Sequence, residues 1–269
     1  VKNNIFRNVQ ARDCISIAYS AEHIQVVGNI FEDFNAISTD SWVVYVGRSS
    51  TATQKDILVA NNQFIWTSNP DYDIEAPILI SQSSDASSPT DIIVKGNVVI
   101  SDVSFSNVEY GLWIHRQGTG LIYRATIADN IVDGVSKDGI RVYGLHNGLV
   151  VNNIVRNVGQ HGIYLSAPTK RVSVLGNRVV DVGKSASGTY NGIYLYGSEC
   201  KYNLIADNFI SDSVPNELHA IEEALSADYN VITSNRVEGA TDTLIAKVGS
   251  NTDVKRNIGY ITENSGTAT

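Results

Sequence analysis

Three short segments of the chain, "DGIRVY", "HGIYLS" and "NGIYLY", begin at Asp138, His161 and Asn191 and place Arg141 and Tyr164 at equivalent positions. The set Asp138, Arg141, His161, Tyr164 and Asn191 holds a fixed cation, an imidazole, a phenol and two groups that can orient them. Abstracting a proton beside a sugar carboxylate needs such a set: a cation to neutralise the carboxylate, a base at the carbon and an acid at the leaving oxygen. Arg141 would supply the cation in a bidentate grip. His161 or Tyr164 would act as base and acid, with Asn191 and Asp138 orienting them. His161 precedes Ile163 by two, so strict alternation turns it inward unless the chain bends at Gly162.

The same alignment adds "YGLWIH" from Tyr110 and "HAIEEA" from His219. One outward column then reads Trp113, Arg141, Tyr164, Tyr194, Glu222, and a second reads His115, Tyr143, Ser166, Tyr196. Rings offer apolar faces on which sugars stack, and hydroxyls that fix orientation. Trp113, His115, Tyr143, Tyr194, Tyr196 and Glu222 are therefore the candidate substrate contacts. A hydrolase would need two carboxylates about 5 to 9.5 Å apart. Asp138 and Glu222 fall three repeats apart, which ranks hydrolysis behind elimination. Glu223 aligns with Leu165 and Leu195, so either the strand bulges there or a carboxylate is buried.

What positions these residues is a repeat marked by asparagine. Asn4, Asn29, Asn62, Asn97, Asn130, Asn153, Asn177, Asn208, Asn235 and Asn257 recur at intervals of 22 to 35 residues. Runs such as "DILVANN", "DIIVKGN" and "RVSVLGN" end on them. Self-similarity at this period marks a solenoid or an array of small units. Apolar residues alternate within each unit, the two-residue period of a strand. A unit of 22 residues holds three short strands and no propeller blade. The expected fold is an all-β parallel β-helix of about ten coils with three strands per coil. Asn tolerates left-handed backbone and would make the tight bend, and stacked coils would set Asn over Asn as an internal ladder.

These "GN.I", "NN.I" and "GIYL" units resemble the right-handed parallel β-helix of the pectate lyase-like superfamily, from Val1 to about Tyr260. The resemblance implies a single domain over 1–260, with 261–269 a polar tail or linker. "VKNNIF" enters in mid-repeat, which implies earlier coils. The resemblance also implies a carbohydrate-active protein: a polysaccharide lyase or C5 epimerase acting on a uronate-containing glycan, with a non-catalytic phage tailspike or surface adhesin, a glycoside hydrolase and a plain spacer as rivals. It points to an extracellular, cell-surface or virion-surface location, and spikes of this shape allow a homotrimer. No cofactor is expected; the resemblance allows calcium, but no acidic motif beside the columns supports it, and no metal ligand is assigned.

Composition narrows the partners. A net charge of -8 argues against nucleic acid, whose recognition needs a basic surface. No run of 18 apolar residues exists to span a membrane. Cys14 and Cys200 lie about six coils apart, beyond disulfide reach, and read as incidental packing or surface thiols. From ladder Asn to the "GI.L" strand the loop is 10 residues long before Ile140 and Ile163, but 15 or 16 before Ile78, Leu112 and Ile193. The low coils should leave a notch floored by Arg141 and Tyr164.

Overall fold

The computed structural model describes residues 1–259 except Tyr19, Asp40, 49–53, 83–87, 214–215, Thr241 and Thr243. Tyr260 and the expected tail at 261–269 lie outside the described residues. The chain winds as a right-handed parallel β-helix whose three walls repeat in every coil. Among the described residues the ladder wall, whose strands follow Asn4 through Asn235, has nine strands, from Ile5–Arg7 to Arg236–Glu238. The aromatic wall also has nine, from Asp13–Ala18 to Ile245–Ala246. The third wall closes the coil and leads to the next marker, as in Leu149–Val151 before Asn153. Each strand pairs in parallel with its equivalent one coil away; Ile140, Ile163, Ile193 and Ile221 lie in direct register.

Alternation decides which side chains enter. The middle residues of the ladder wall, including Phe64, Val99, Val132, Val155, Val179 and Ile210, are fully buried. Phe6, Phe31 and Phe64 stack with centroids 4.9 Å apart. Fully burying one such side chain stabilises by about 1.5–3 kcal/mol, so the single-file core is the main support of the fold. No helix among the described residues is long and apolar enough to cross a membrane.

All ten marker asparagines form one ladder. The N–H and Nδ2 of Asn130 both donate to Asn153 Oδ1, at 3.0 and 2.9 Å, and Nδ2 also donates to the Val94 carbonyl at 3.0 Å. The same pattern runs from Asn4 to Asn257. The expectation that these residues also make the left-handed bend is corrected: the residue before each takes it. Asn3, Gly28, Asn61, Gly96, Asp129, Asn152, Gly176, Asp207, Ser234 and Arg256 have φ between 53° and 69°. An inward amide must keep an extended backbone to aim along the stack, so the bend falls one residue earlier.

A second ladder, unforeseen in the sequence, supports the C-terminal coils. Val172 N–H donates to Asn203 Oδ1, Asn203 N–H to Asn230 Oδ1, and Asn230 N–H to Thr252 Oγ1. Glu223 is fully buried beside it, in an unbulged strand, and accepts from Asn230 Nδ2 and Thr252 Oγ1, each at 2.8 Å. Burial pushes its carboxyl above the ordinary range against those bonds. Both cysteines are free, Cys14 half-buried and Cys200 in the core.

Candidate functional site

The bend at glycine sets the site. Gly139, Gly162 and Gly192 face the core so closely that a Cβ would come within 2.2, 2.3 and 2.4 Å of Val155, Val179 and Ile210 side chains. Only a residue without a side chain fits there. Because Gly162 and Ile163 both face inward, His161 falls on the outer side, as the bend requires. Asp138, His161, Asn191 and His219 are nevertheless buried, at 1, 8, 1 and 7% exposure. Tyrosines roof them: around His161, Tyr194 stacks at 4.5 Å, Tyr164 lies at 5.2 Å, and Tyr190 meets it edge-on at 5.2 Å.

Their burial is made tolerable by a third ladder, of mixed composition. His161 N–H donates to Asp138 Oδ1 at 3.1 Å, Asn191 N–H to His161 Nδ1 at 3.0 Å, and His219 N–H to Asn191 Oδ1 at 3.1 Å. The bond to Nδ1 leaves the proton of neutral His161 on Nε2. Burial, and then the Arg141 charge, hold this imidazole down at about 3. Burial raises the Asp138 carboxyl to about 6 against the pull of Arg141. Neither is presented to a ligand as a proton acceptor at neutral pH: one nitrogen is spent and the other protonated, and the carboxylate is covered.

Arg141 is the centre of the outer face. Its Nη1 donates to Tyr110 Oη at 2.7 Å and lies 3.5 Å from Asp138 Oδ2. The guanidinium stands over the rings of Tyr110, Trp113 and Tyr164 at 4.9, 5.5 and 5.1 Å. With 28% of its side chain exposed, it is a cation held among rings, and its hydrogen bonds among the described residues are made by Nη1.

The two outward columns form as aligned. Trp113, Arg141, Tyr164, Tyr194 and Glu222 occupy successive rungs. Tyr143, Ser166 and Tyr196 follow in the other, with His115 at 6.2 Å from Tyr143. Burial, then Arg141, lower His115 to about 4, so it is neutral near pH 7. Glu222 accepts from Asn191 Nδ2 at 2.8 Å. Burial raises the phenols of Tyr164 and Tyr194, and Glu222 adds to the effect on Tyr194. The tyrosine ring faces are partly spent within the row. Tyr164 and Tyr194 stack on each other at 5.3 Å, and Tyr196 stands edge-on to Tyr164 at 81°. Rings stacked on each other along the axis have less of their faces left for a sugar.

Tyr110 and Tyr190, which contact Arg141 and His161, come from the ends of the longer loops. No repeat aligns Tyr190. A third acidic group also escaped attention: Asp181 and Asp212 sit at the same offset after Asn177 and Asn208, beside buried Glu217. The Asp212 carboxyl is raised by burial, and Asp181 beside it raises it further. Cavities of about 210, 390 and 400 Å³ open elsewhere, over Trp66 and Asp71, Leu58 and Ile93, and Arg156 and Arg178.

Coils, ladder and tyrosine-lined face together define a right-handed parallel β-helix with one polar, chemically furnished wall. A family model described as "Periplasmic copper-binding protein (NosD)" matches residues 35–236, and the chain belongs to that family. No curated protein sequence matches it. Among solved structures, the A-module of mannuronan C-5 epimerase AlgE6 from Azotobacter vinelandii is similar at 13% identity and TM-score 0.49, over 94% of this chain and 80% of that one. The AlgE4 A-module of the same organism gives 13% and 0.43, over 93% and 80%. The enzymatically active domain of bacteriophage CBA120 tailspike protein 2 gives 9% and 0.40, over 90% of this chain and 42% of its own. Likeness at this level carries nothing about activity.

Proposed function

We propose that the aromatic wall binds an acidic glycan, with Arg141 gripping a uronate carboxylate and the hydroxyls of Tyr164, Tyr194 and Tyr196 meeting the sugar. The observation that carries this reading is the ring-held Arg141, a rigid and part-exposed guanidinium at the head of a row of phenols. A fixed planar fork suits a carboxylate, and its side-chain entropy is already lost before binding. Titrating the protein with uronate oligosaccharides by calorimetry tests it. Arg141→Gln should weaken binding at least tenfold at low salt; unchanged affinity would remove Arg141 from the site.

A second reading, β-elimination or C5 epimerisation of the bound uronate, is favoured by the Tyr164 phenol beside Arg141. With His161 and Asp138 covered, Tyr164 is the group at the surface that could move a proton there. Tyr164→Phe should then abolish unsaturated product, or deuterium uptake at C5, while binding persists. On the aromatic wall, among the described residues, hydrolysis ranks behind elimination, since Asp138 and Glu222 are three rungs apart, about 14 Å.

The family description names copper and the periplasm. Copper draws on thiolate, thioether and imidazole ligands. The chain has no methionine, its two cysteines lie in distant coils, and among the described residues no three His, Cys, Asp or Glu side chains gather as a metal site. The donors do not fit copper. A periplasmic location agrees with a glycan partner outside the cytoplasm, and one domain over 1–260 remains our reading of the chain.

A further inference from the structure

The outward columns of the aromatic wall carry an asymmetry of charge. From the rung of Trp113 to that of Ala246 their members are Trp113, Arg141, Tyr164, Tyr194, Glu222 and Ala246, beside His115, Tyr143, Ser166, Tyr196 and Ala224. Two bear a guanidinium or a carboxyl: Arg141 at one end and Glu222 at the other. They stand three rungs apart, about 14 Å. Between them lie only phenols and the hydroxyl of Ser166. Glu222 accepts through Oε2 from Asn191 Nδ2 at 2.8 Å, which ties its carboxylate to the wall.

A pyranose in an extended chain advances by close to one rung spacing, so a glycan lying along the helix axis sets one sugar on each rung. A carboxylate held at Arg141 then leaves the sugar three units away against Glu222. In a homopolymeric uronate that sugar is another carboxylate, set against a like charge in a partly desolvated place. In a strictly alternating chain of uronate and N-acetylhexosamine, an offset of three is odd, and the sugar at Glu222 is the neutral hexosamine, whose hydroxyl or amide N–H donates to the carboxylate. Parity makes this independent of which end of the glycan lies at Arg141.

We infer that this wall selects an alternating uronate–hexosamine heteropolymer over a homopolymeric uronate, with Glu222 as the discriminating residue. The inference rests on the reading of Arg141 as the carboxylate grip and adds to it the class of substrate.

Calorimetric titration of the whole protein with two hexasaccharides of equal length, one homopolymeric uronate and one alternating uronate–N-acetylhexosamine, tests it. Wild type should bind the alternating glycan about tenfold more tightly. Glu222→Gln keeps an oxygen for Asn191 Nδ2 and should close that gap by strengthening the homopolymer, whereas Arg141→Gln should weaken both. Equal binding of the two glycans by wild type, or a preference that Glu222→Gln leaves unaltered, overturns the inference and spares the carboxylate grip. Failure of both glycans to bind overturns the grip and the inference together.

Discussion

Two of the three polar ladders in this helix differ in composition, and the same backbone geometry serves both. In each, a main-chain N–H donates to a side-chain acceptor one coil away. The marker ladder uses asparagine in all ten coils, whereas the ladder at the entrance to the aromatic wall uses Asp138, His161 and Asn191 in turn. The difference is not one of burial, because both are nearly inaccessible. It lies in the neighbours. Asn153 is enclosed by coil on every side, whereas Asp138 and His161 back onto Arg141 and the tyrosines. A structural support beside a binding face can thus be built of titratable groups and look catalytic while it holds the strand starts in register.

Breaking the homogeneous ladder should have the largest effect. Asn153→Ala removes the acceptor of Asn130 N–H and Nδ2 and the donor to the Ile127 carbonyl and Asn177 Oδ1. An unsatisfied buried group costs about 1–3 kcal/mol, so a loss of about 3–5 kcal/mol is expected in urea unfolding. A loss below about 1 kcal/mol would mean that water replaces the amide, and the ladder would then be ornamental to stability.

The contrast also explains what the sequence disclosed. A support repeated with one residue type leaves a visible period, so the marker asparagines and the coil count were legible. One displaced by a single position was not: the left-handed residue before each Asn varies among Asn, Gly, Asp, Ser and Arg and so leaves no period of its own. The entrance ladder was legible as a column and not as a ladder, since an acidic, an imidazole and an amide side chain share one role there. The columns of Arg141 and Tyr164 followed from strand alternation alone. Ring orientation did not, because stacking between rungs depends on side-chain torsions that alternation leaves open. Glu223 was visible as an anomaly, but its partners Asn230 and Thr252 belong to a ladder too short to announce itself.

The mixed ladder can be probed through pH. The folded Asp138 carboxyl, at about 6 against 3.8, holds its proton longer than in the unfolded chain. Its contribution is therefore fully present below about pH 4 and is lost as pH rises through 6. His161, at about 3 against 6.5, behaves oppositely: its contribution is present above 6.5 and is lost as pH falls. Between pH 4 and 6 the two slopes oppose. Asp138→Asn keeps an acceptor for the His161 N–H and removes one slope. Relative to wild type, this variant should lose about 1.4 kcal/mol of stability per pH unit on acidification from 6 to 4. Urea midpoints for the two proteins across that range read the difference directly, and parallel curves would remove Asp138 as a titrating group there.

The smallest effect separates support from chemistry at His161. Asparagine at that position can offer an oxygen to Asn191 N–H in place of Nδ1, so His161→Asn should cost less than about 1 kcal/mol at pH 7, whereas His161→Leu strands that N–H and should cost about 1–3 kcal/mol. Below pH 6.5 the asparagine variant should gain on wild type, since it has no imidazole to charge in the unfolded chain. A histidine that moved protons for a bound glycan would behave otherwise: both substitutions would stop turnover equally, whatever they did to stability. Retained glycan binding and any retained turnover in His161→Asn, with losses confined to His161→Leu, would place this residue among the supports of the aromatic wall and leave proton transfer to the phenol of Tyr164.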